Sequence, residues 1–142
     1  MKVEQISIFL ENKAGRLAEV TTILADAKIN IKALSLADTS EFGILRLIVD
    51  RLEEAQAALK AKGFTVGRTS VVAVEVDHSP GGLNNILRIL EQKGINVEYM
   101  YGFPNQTNQA IMIFRFDRSE LAIEVLQQNG VRIFGSGEIF SI

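Results

Sequence analysis

The chain has no cysteine, no tryptophan, only two prolines and a single histidine among its 142 residues. Without cysteine there is no disulfide, no thiol nucleophile and no thiolate metal site, which is compatible with a reducing cytosol. One histidine, His78, excludes a histidine-based ligand set within one chain. An excess of charge of one sign is missing too: 15 Lys and Arg stand against 17 Asp and Glu, for a formal net charge of -2. No basic face is therefore offered to nucleic acid or to anionic lipid. No uninterrupted run of about 18 apolar residues occurs. The segment Met1-Lys2-Val3-Glu4-Gln5 opens on an alternating pattern with no apolar core of a targeting signal. A cytoplasmic protein with no membrane and no nucleic-acid partner is expected.

What is present is a composition that folds: 47% hydrophobic and 23% charged residues. It is also a repeat. Asn12-Lys13-Ala14-Gly15-Arg16-Leu17 aligns with His78-Ser79-Pro80-Gly81-Gly82-Leu83, and Lys28-Ile29-Asn30-Ile31 aligns with Gly94-Ile95-Asn96-Val97, both at an offset of 66. After one inserted residue Asp50-Arg51 matches Asp117-Arg118, and Lys62-Gly63-Phe64 matches Asn129-Gly130-Val131. The repeat breaks near residues 69–71, which gives two domains, 1–70 and 71–142. Each alone has a thin core, so the halves are expected to pack on each other or on another copy.

Within each repeat the apolar period switches between two and about 3.6 in a fixed order. Ile6, Ile8 and Leu10 mark a first strand, mirrored by Val72, Val74 and Val76. Leu17, Val20, Leu24 and Ala27 form the stripe of a first helix, mirrored by Leu83, Ile86, Leu87 and Leu90, with Gly94 closing the second copy. Two strands follow, 29–37 and 42–49, then 95–103 and 110–116. Asp50 with Glu53, and Asp117 with Glu120, have capping-box spacing for a second helix that ends at Gly63 or Gly130. Short strands, 64–66 and 131–134, complete a βαββαβ unit. The fold class is α+β: two ferredoxin-like repeats, each an antiparallel sheet with its helices on one face.

Common occupants of this topology differ in the residues their chemistry needs. Soft-metal carriers need a Cys-x-x-Cys pair, which is absent. RNA-recognition modules need aromatics on the third strand, and neither 42–49 nor 110–116 has the required pattern. An acylphosphatase-like hydrolase would use Arg16 and Asn30, but the second repeat has Gly82 in place of the arginine. No triad, paired carboxylate or metal-ligand cluster is evident, so no enzymatic activity and no cofactor are expected.

The remaining match is a twice-repeated signature: a strand ending in a polar residue, a short loop with glycine and leucine opening the first helix, and an asparagine starting the second strand. It reads Leu10-Glu11-Asn12-Lys13-Ala14-Gly15-Arg16-Leu17 with Ile29-Asn30-Ile31, and Val76-Asp77-His78-Ser79-Pro80-Gly81-Gly82-Leu83 with Ile95-Asn96-Val97. In this the chain resembles stand-alone tandem ACT-domain proteins over essentially its whole length. Ala14 departs from the proline usual in the first loop, and Pro80 retains it. The Gly-Ala-Leu and Glu-Ser-Arg-Pro stretches of phenylalanine-responsive relatives do not occur.

The resemblance implies a non-catalytic sensor that binds an amino acid between ACT modules and regulates a metabolic enzyme or transporter in trans; a homodimer is expected because small modules with exposed edges or helix faces tend to bury them. The resemblance also implies two sites, pairing Asn12, Ala14, Gly15, Arg16 and Leu17 with Asn96 and Val97, and His78, Pro80, Gly81, Gly82 and Leu83 with Asn30 and Ile31. Glycines there let a backbone approach a carboxylate at a helix start, and equally serve a tight turn. Asn30 and Asn96 offer a donor and an acceptor, and are equally ordinary turn residues before a strand. Tyr99, Met100 and Tyr101 either shape a specificity pocket or belong to the core or an interface. Residues 102–108 read as a mobile hairpin loop, and Asp38-Thr39-Ser40 as its shorter counterpart. The rival reading without a ligand is a purely structural assembly module.

Overall fold

A computed structural model describes residues 1–105 and 108–142. The chain divides into two compact units, residues 4–69 and residues 70–142, the latter also taking in residues 1–3.

In the first unit, strand β1 (Val3–Glu11) pairs antiparallel with β3 (Phe42–Val49), with Ile6 opposite Leu47 and Ile8 opposite Leu45. Residues directly opposite one another share a face, so these four side chains form one apolar surface. Strand β2 (Ile31–Asp38) flanks β3, giving the order β2-β3-β1-β4, with β4 spanning Thr65–Asp77. Helices α1 (Arg16–Asp26) and α2 (Leu52–Ala61) lay Val20, Leu24, Ala55 and Leu59 on that surface, and all are buried there.

The second unit repeats the plan with α3 (Gly82–Gln92), β5 (Val97–Pro104), β6 (Gln109–Phe116), α4 (Ser119–Gln128) and β7 (Ile133–Phe134). β4 lies between β6 and β7, and β5 is the outer strand beside β6. Val72, Val74, Ile86, Leu90, Phe114 and Leu126 are among the residues of its core. The Phe114 and Phe116 rings stack at 5.1 Å. A 3-10 turn, Glu138–Ser141, follows β7. Each unit is thus the α+β, helices-on-one-face arrangement read from the periodicity. No described helix is long and apolar enough to cross a membrane.

The helix ends follow backbone chemistry. Gly63, Gly94 and Gly130 each take a left-handed φ just past a helix, of 88°, 65° and 75°, as expected for a C′ position. At the position matching Gly94 the first repeat has Lys28, which adopts φ 57° without being glycine.

Several expectations are corrected. The expected boundary at residues 69–71 is no separate linker, since it falls within the strand Thr65–Asp77 of 13 residues. Strands β2 and β5 begin at Ile31 and Val97, two residues later than the apolar pattern suggested, and β7 begins at Ile133. The capping boxes do not form: the N-caps of α2 and α4 are Arg51 and Arg118, with no side-chain cap bond. Leu17 and Leu87 remain 37% and 36% exposed, because each falls at the rim of its helix's buried stripe.

Candidate functional site

The loop from β1 to α1 is held by its own backbone. The Lys13 N–H donates to the Glu11 carbonyl at 2.9 Å, and the Glu19 N–H to the Gly15 carbonyl at 3.0 Å. Gly15 is the N-cap at φ 92°, and Gly81 holds the same place before α3 at φ 88°. Such angles account for glycine at both positions by the turn itself. Neither helix has a side-chain cap; the first N–H of each, from Arg16 and Gly82, turns back to the Lys13 and Ser79 carbonyls at 3.4 and 3.0 Å, which leaves the next N–H groups of the first turn without a side-chain cap.

The two loops differ in detail. In the first, Asn12 ties the loop to the β2–β3 turn: its N–H donates to the Glu41 carbonyl at 2.8 Å and its amide to the Thr39 carbonyl at 3.2 Å. The expected turn at Asp38-Thr39-Ser40 forms, with the Thr39 N–H donating to the Phe42 carbonyl at 2.7 Å. Ala14 is exposed. Arg16 lies along the surface, pairing with Glu19 at 2.7 Å with its guanidinium 4.8 Å from the Phe64 ring centre. Its buried Nε has no hydrogen-bond partner among the described residues.

In the second loop the His78 N–H donates to the Asn108 carbonyl and the Gly82 N–H to the Ser79 carbonyl, both at 3.0 Å. His78, Pro80 and Gly81 are exposed, whereas Gly82 is buried. A Cβ at Gly82 would collide with the Asp77 carbonyl oxygen and lie 2.9 Å from its carbon. The second loop therefore closes more tightly on its strand than the first, which accommodates Arg16 at the matching position.

Asn30 and Asn96 are set by a clasp that the sequence reading did not foresee. The Asn30 N–H donates to the Asp50 carboxylate at 3.0 Å, and the Asp50 N–H returns a bond to the Asn30 carbonyl at 3.2 Å. Asn96 and Asp117 repeat the same pair at the same distances. The next residue completes it: Arg51 Nη2 donates to the Ala27 and Lys28 carbonyls, and Arg118 Nη2 to the Lys93 and Gly94 carbonyls. The Asp-Arg dipeptide that marks the repeat is thus the fastener of each helix-to-strand turn. Both asparagine side chains are exposed, and no described residue hydrogen-bonds their amides. Ile31 and Val97, the next residues, pack partly buried against the two cores.

Within a unit the loop and its own asparagine are far apart. Glu11 pairs with Phe42 and Asp38 with Gly43, so the loop and the end of β2 share one end of the sheet; Ile31 pairs with Val49 at the other. Arg16 and Asn30 bracket the whole of α1, whose 11 residues span about 16 Å. They cannot grip one phosphate, and the hydrolase reading loses its geometry. Among the described residues no group of three His, Asp or Glu side chains is placed to hold a metal.

Two carboxylates have lowered pKa values, and both lie outside the loops. Glu120 is lowered by a hydrogen bond and charge attraction from Lys2. Glu138 is lowered by the backbone N–H of Gly135, at 2.9 Å, and then by Arg132 at 3.3 Å. Both serve the folded chain.

Sequence reasoning missed a pair of recesses beside the loops. The first, about 60 Å³, is bordered by Asn12, Leu17, Leu36, Asp38 and Gly43. The second, about 270 Å³, is bordered by His78, Gly102, Phe103, Pro104, Ala110 and Met112. Part of the expected mobile segment is strand: Gly102, Phe103 and Pro104 pair with Met112, Ile111 and Ala110. Of that segment, residues 106 and 107 lie outside the described residues. Met100 packs into the second core opposite Phe114, whereas Tyr99 and Tyr101 lie opposite Arg115 and Ile113 on the other face, so none of the three borders the recess.

The family described as the ACT domain pair matches residues 1–140. Among solved structures, the protein BT0572 from Bacteroides thetaiotaomicron is 41% identical, with all of this chain and 98% of that one covered and a TM-score of 0.94. The ligand-free regulatory subunit of aspartate kinase from Thermus thermophilus shares 19% identity over 88% of this chain and 91% of that one, with a TM-score of 0.64. The regulatory subunit of aspartate kinase from Thermus flavus gives 17% identity over 88% and 90%, with a TM-score of 0.62. The two Thermus likenesses are of fold. No curated protein matches the sequence.

Proposed function

Because the chain belongs to the ACT domain pair family, a family of regulatory rather than catalytic modules, we propose that it senses a free amino acid and regulates a metabolic enzyme or transporter in trans. Its modules, taken as 1–70 and 71–142, bind at the loops Asn12–Leu17 and His78–Leu83, with Asn30 and Asn96 contributing from a partner module's second strand. The working form is a cytoplasmic homodimer.

The observation that carries this reading is the pair of uncommitted amides. The backbones of Asn30 and Asn96 are locked by Asp50 and Asp117, while no described residue bonds their exposed side chains. An amide held on a fixed backbone but left open can accept from an ammonium and donate to a carboxylate. The uncapped N–H groups at the starts of α1 and α3 suit the carboxylate of the same ligand. Regulation then follows from linkage, since a ligand that prefers one arrangement of modules raises its population. The Thermus relatives support a separate target by their names, as regulatory subunits of an enzyme.

Calorimetric titration of the full chain with each common L-amino acid tests the reading. A saturable heat for one or a few of them, reduced at least tenfold in affinity by Asn30→Ala or Asn96→Ala, is expected. Saturable binding that both variants leave intact would remove the asparagines from the site, and no binding at all would leave a structural assembly module.

A further inference from the structure

The two loop recesses occupy matching places in the repeat, yet they differ more than fourfold in volume, about 60 Å³ against 270 Å³. The cause is on their walls. Leu36 of β2 leans over Gly43, its Cδ1 atom 3.3 Å from where a Cβ of residue 43 would stand. Gly102 replaces Leu36 in the second repeat and Ala110 replaces Gly43. With no side chain at 102, the Met112 thioether lies against the strand backbone, in the place a Cβ would take. The rims differ as well. Asn12 spends its amide on the Thr39 carbonyl, closing the first recess, whereas no described residue bonds the imidazole of His78.

We infer that the second recess alone receives the ligand's side chain, so that each chain binds one amino acid with an apolar side chain, at the His78 loop. The inference rests on the sensor reading above and narrows it. A volume of 60 Å³ holds about two waters. By contrast, 270 Å³ suits one side chain of the leucine, methionine or phenylalanine class, and Phe103, Pro104, Ala110 and Met112 give it an apolar lining. Met112 brings a flexible, polarisable thioether that conforms to such a group. At the rim the imidazole can accept a hydrogen bond from an ammonium or donate one to a carboxylate. Apart from His78 at the rim, the lining side chains offer a charged group no partner to offset the water it gives up.

Equilibrium dialysis of the full chain against labelled L-leucine, L-methionine, L-phenylalanine, L-aspartate and L-lysine tests it. One equivalent of an apolar amino acid bound per chain is expected, with aspartate and lysine at least a hundredfold weaker. Ala110→Leu, which fills the recess, is expected to weaken binding at least tenfold. Met112→Ala, which enlarges it, is expected to shift the ratio of phenylalanine to leucine affinity at least fivefold towards phenylalanine, a change that misfolding does not produce. Two equivalents of similar affinity, preference for a charged amino acid, or an unchanged ratio in Met112→Ala would overturn the assignment and leave amino-acid sensing standing. Absence of binding by all five, with another amino acid binding in calorimetry, would also overturn it alone; absence of all binding would remove the sensor reading with it.

Discussion

The carboxylate of Asp117 accepts the backbone N–H of Asn96 at 3.0 Å while the Asp117 N–H donates to the Asn96 carbonyl, so the strand that begins just after the asparagine is fastened to the strand that ends just before the aspartate. Asp50 holds Asn30 in the same way. Asp117→Ala removes the carboxylate and leaves the Asn96 N–H to water, at a cost of about 1 kcal/mol. Denaturant unfolding of the variant checks the loss. Asp50→Ala is expected to cost a similar amount, and unchanged midpoints for both would rule out the clasp.

Gly82 is fixed by contact, not by conformation. A side chain there meets the Asp77 backbone, which the strand holds in place. Gly82→Ala is therefore expected to destabilise the protein by about 2 kcal/mol or more, read as a lower unfolding midpoint. The reciprocal Arg16→Gly has no such collision to relieve and loses only an exposed ion pair and the stacking on Phe64. A smaller change, under about 1 kcal/mol beyond the glycine penalty, is expected for it.

Lys28 occupies a left-handed conformation where its counterpart Gly94 does so freely. Lys28→Gly should stabilise the chain by up to about 1 kcal/mol, the relief being partly offset by the flexibility glycine adds to the unfolded chain. Gly94→Lys should destabilise it by a comparable amount. Thermal unfolding of the two variants is expected to move in opposite directions.

The closing turn responds to acid. Glu138 has its pKa lowered from 4.5 by the Gly135 N–H first and Arg132 second. A carboxylate whose folded value is depressed stabilises above its unfolded value, and that contribution disappears as the pH falls through the folded value. Exchange protection of the Gly135 amide should therefore be lost on acidification below about pH 4.5. In Glu138→Gln the protection is expected to be weak already at neutral pH and to change little in acid.

Topology was legible because burial enforces it: alternation along 6–10 and 72–76 and the helical stripes had to face a core, and they do except at Leu17 and Leu87. The glycines after helices were legible because a positive φ leaves few alternatives, although Lys28 shows that the rule runs one way. Capping was misread because Asp50 and Asp117 had a competing partner, the N–H of an asparagine about 20 residues upstream, which spacing within a helix cannot reveal. The recess beside His78 was invisible for a related reason. It depends on Gly102 and Met112, which face each other only after β5 and β6 pair, and a glycine in a strand-like run reads equally as a bulge or a loop.

A thermal-shift screen of the purified chain against the common L-amino acids tests the sensor most directly, since a ligand that binds only the folded state raises the melting temperature by mass action. A selective, saturable rise with one or a few amino acids, abolished by Asn96→Ala or Asn30→Ala, is the predicted result. A melting temperature unmoved by every amino acid at millimolar concentration would contradict amino-acid sensing and leave the ACT domain pair to bind a different metabolite or to serve assembly alone.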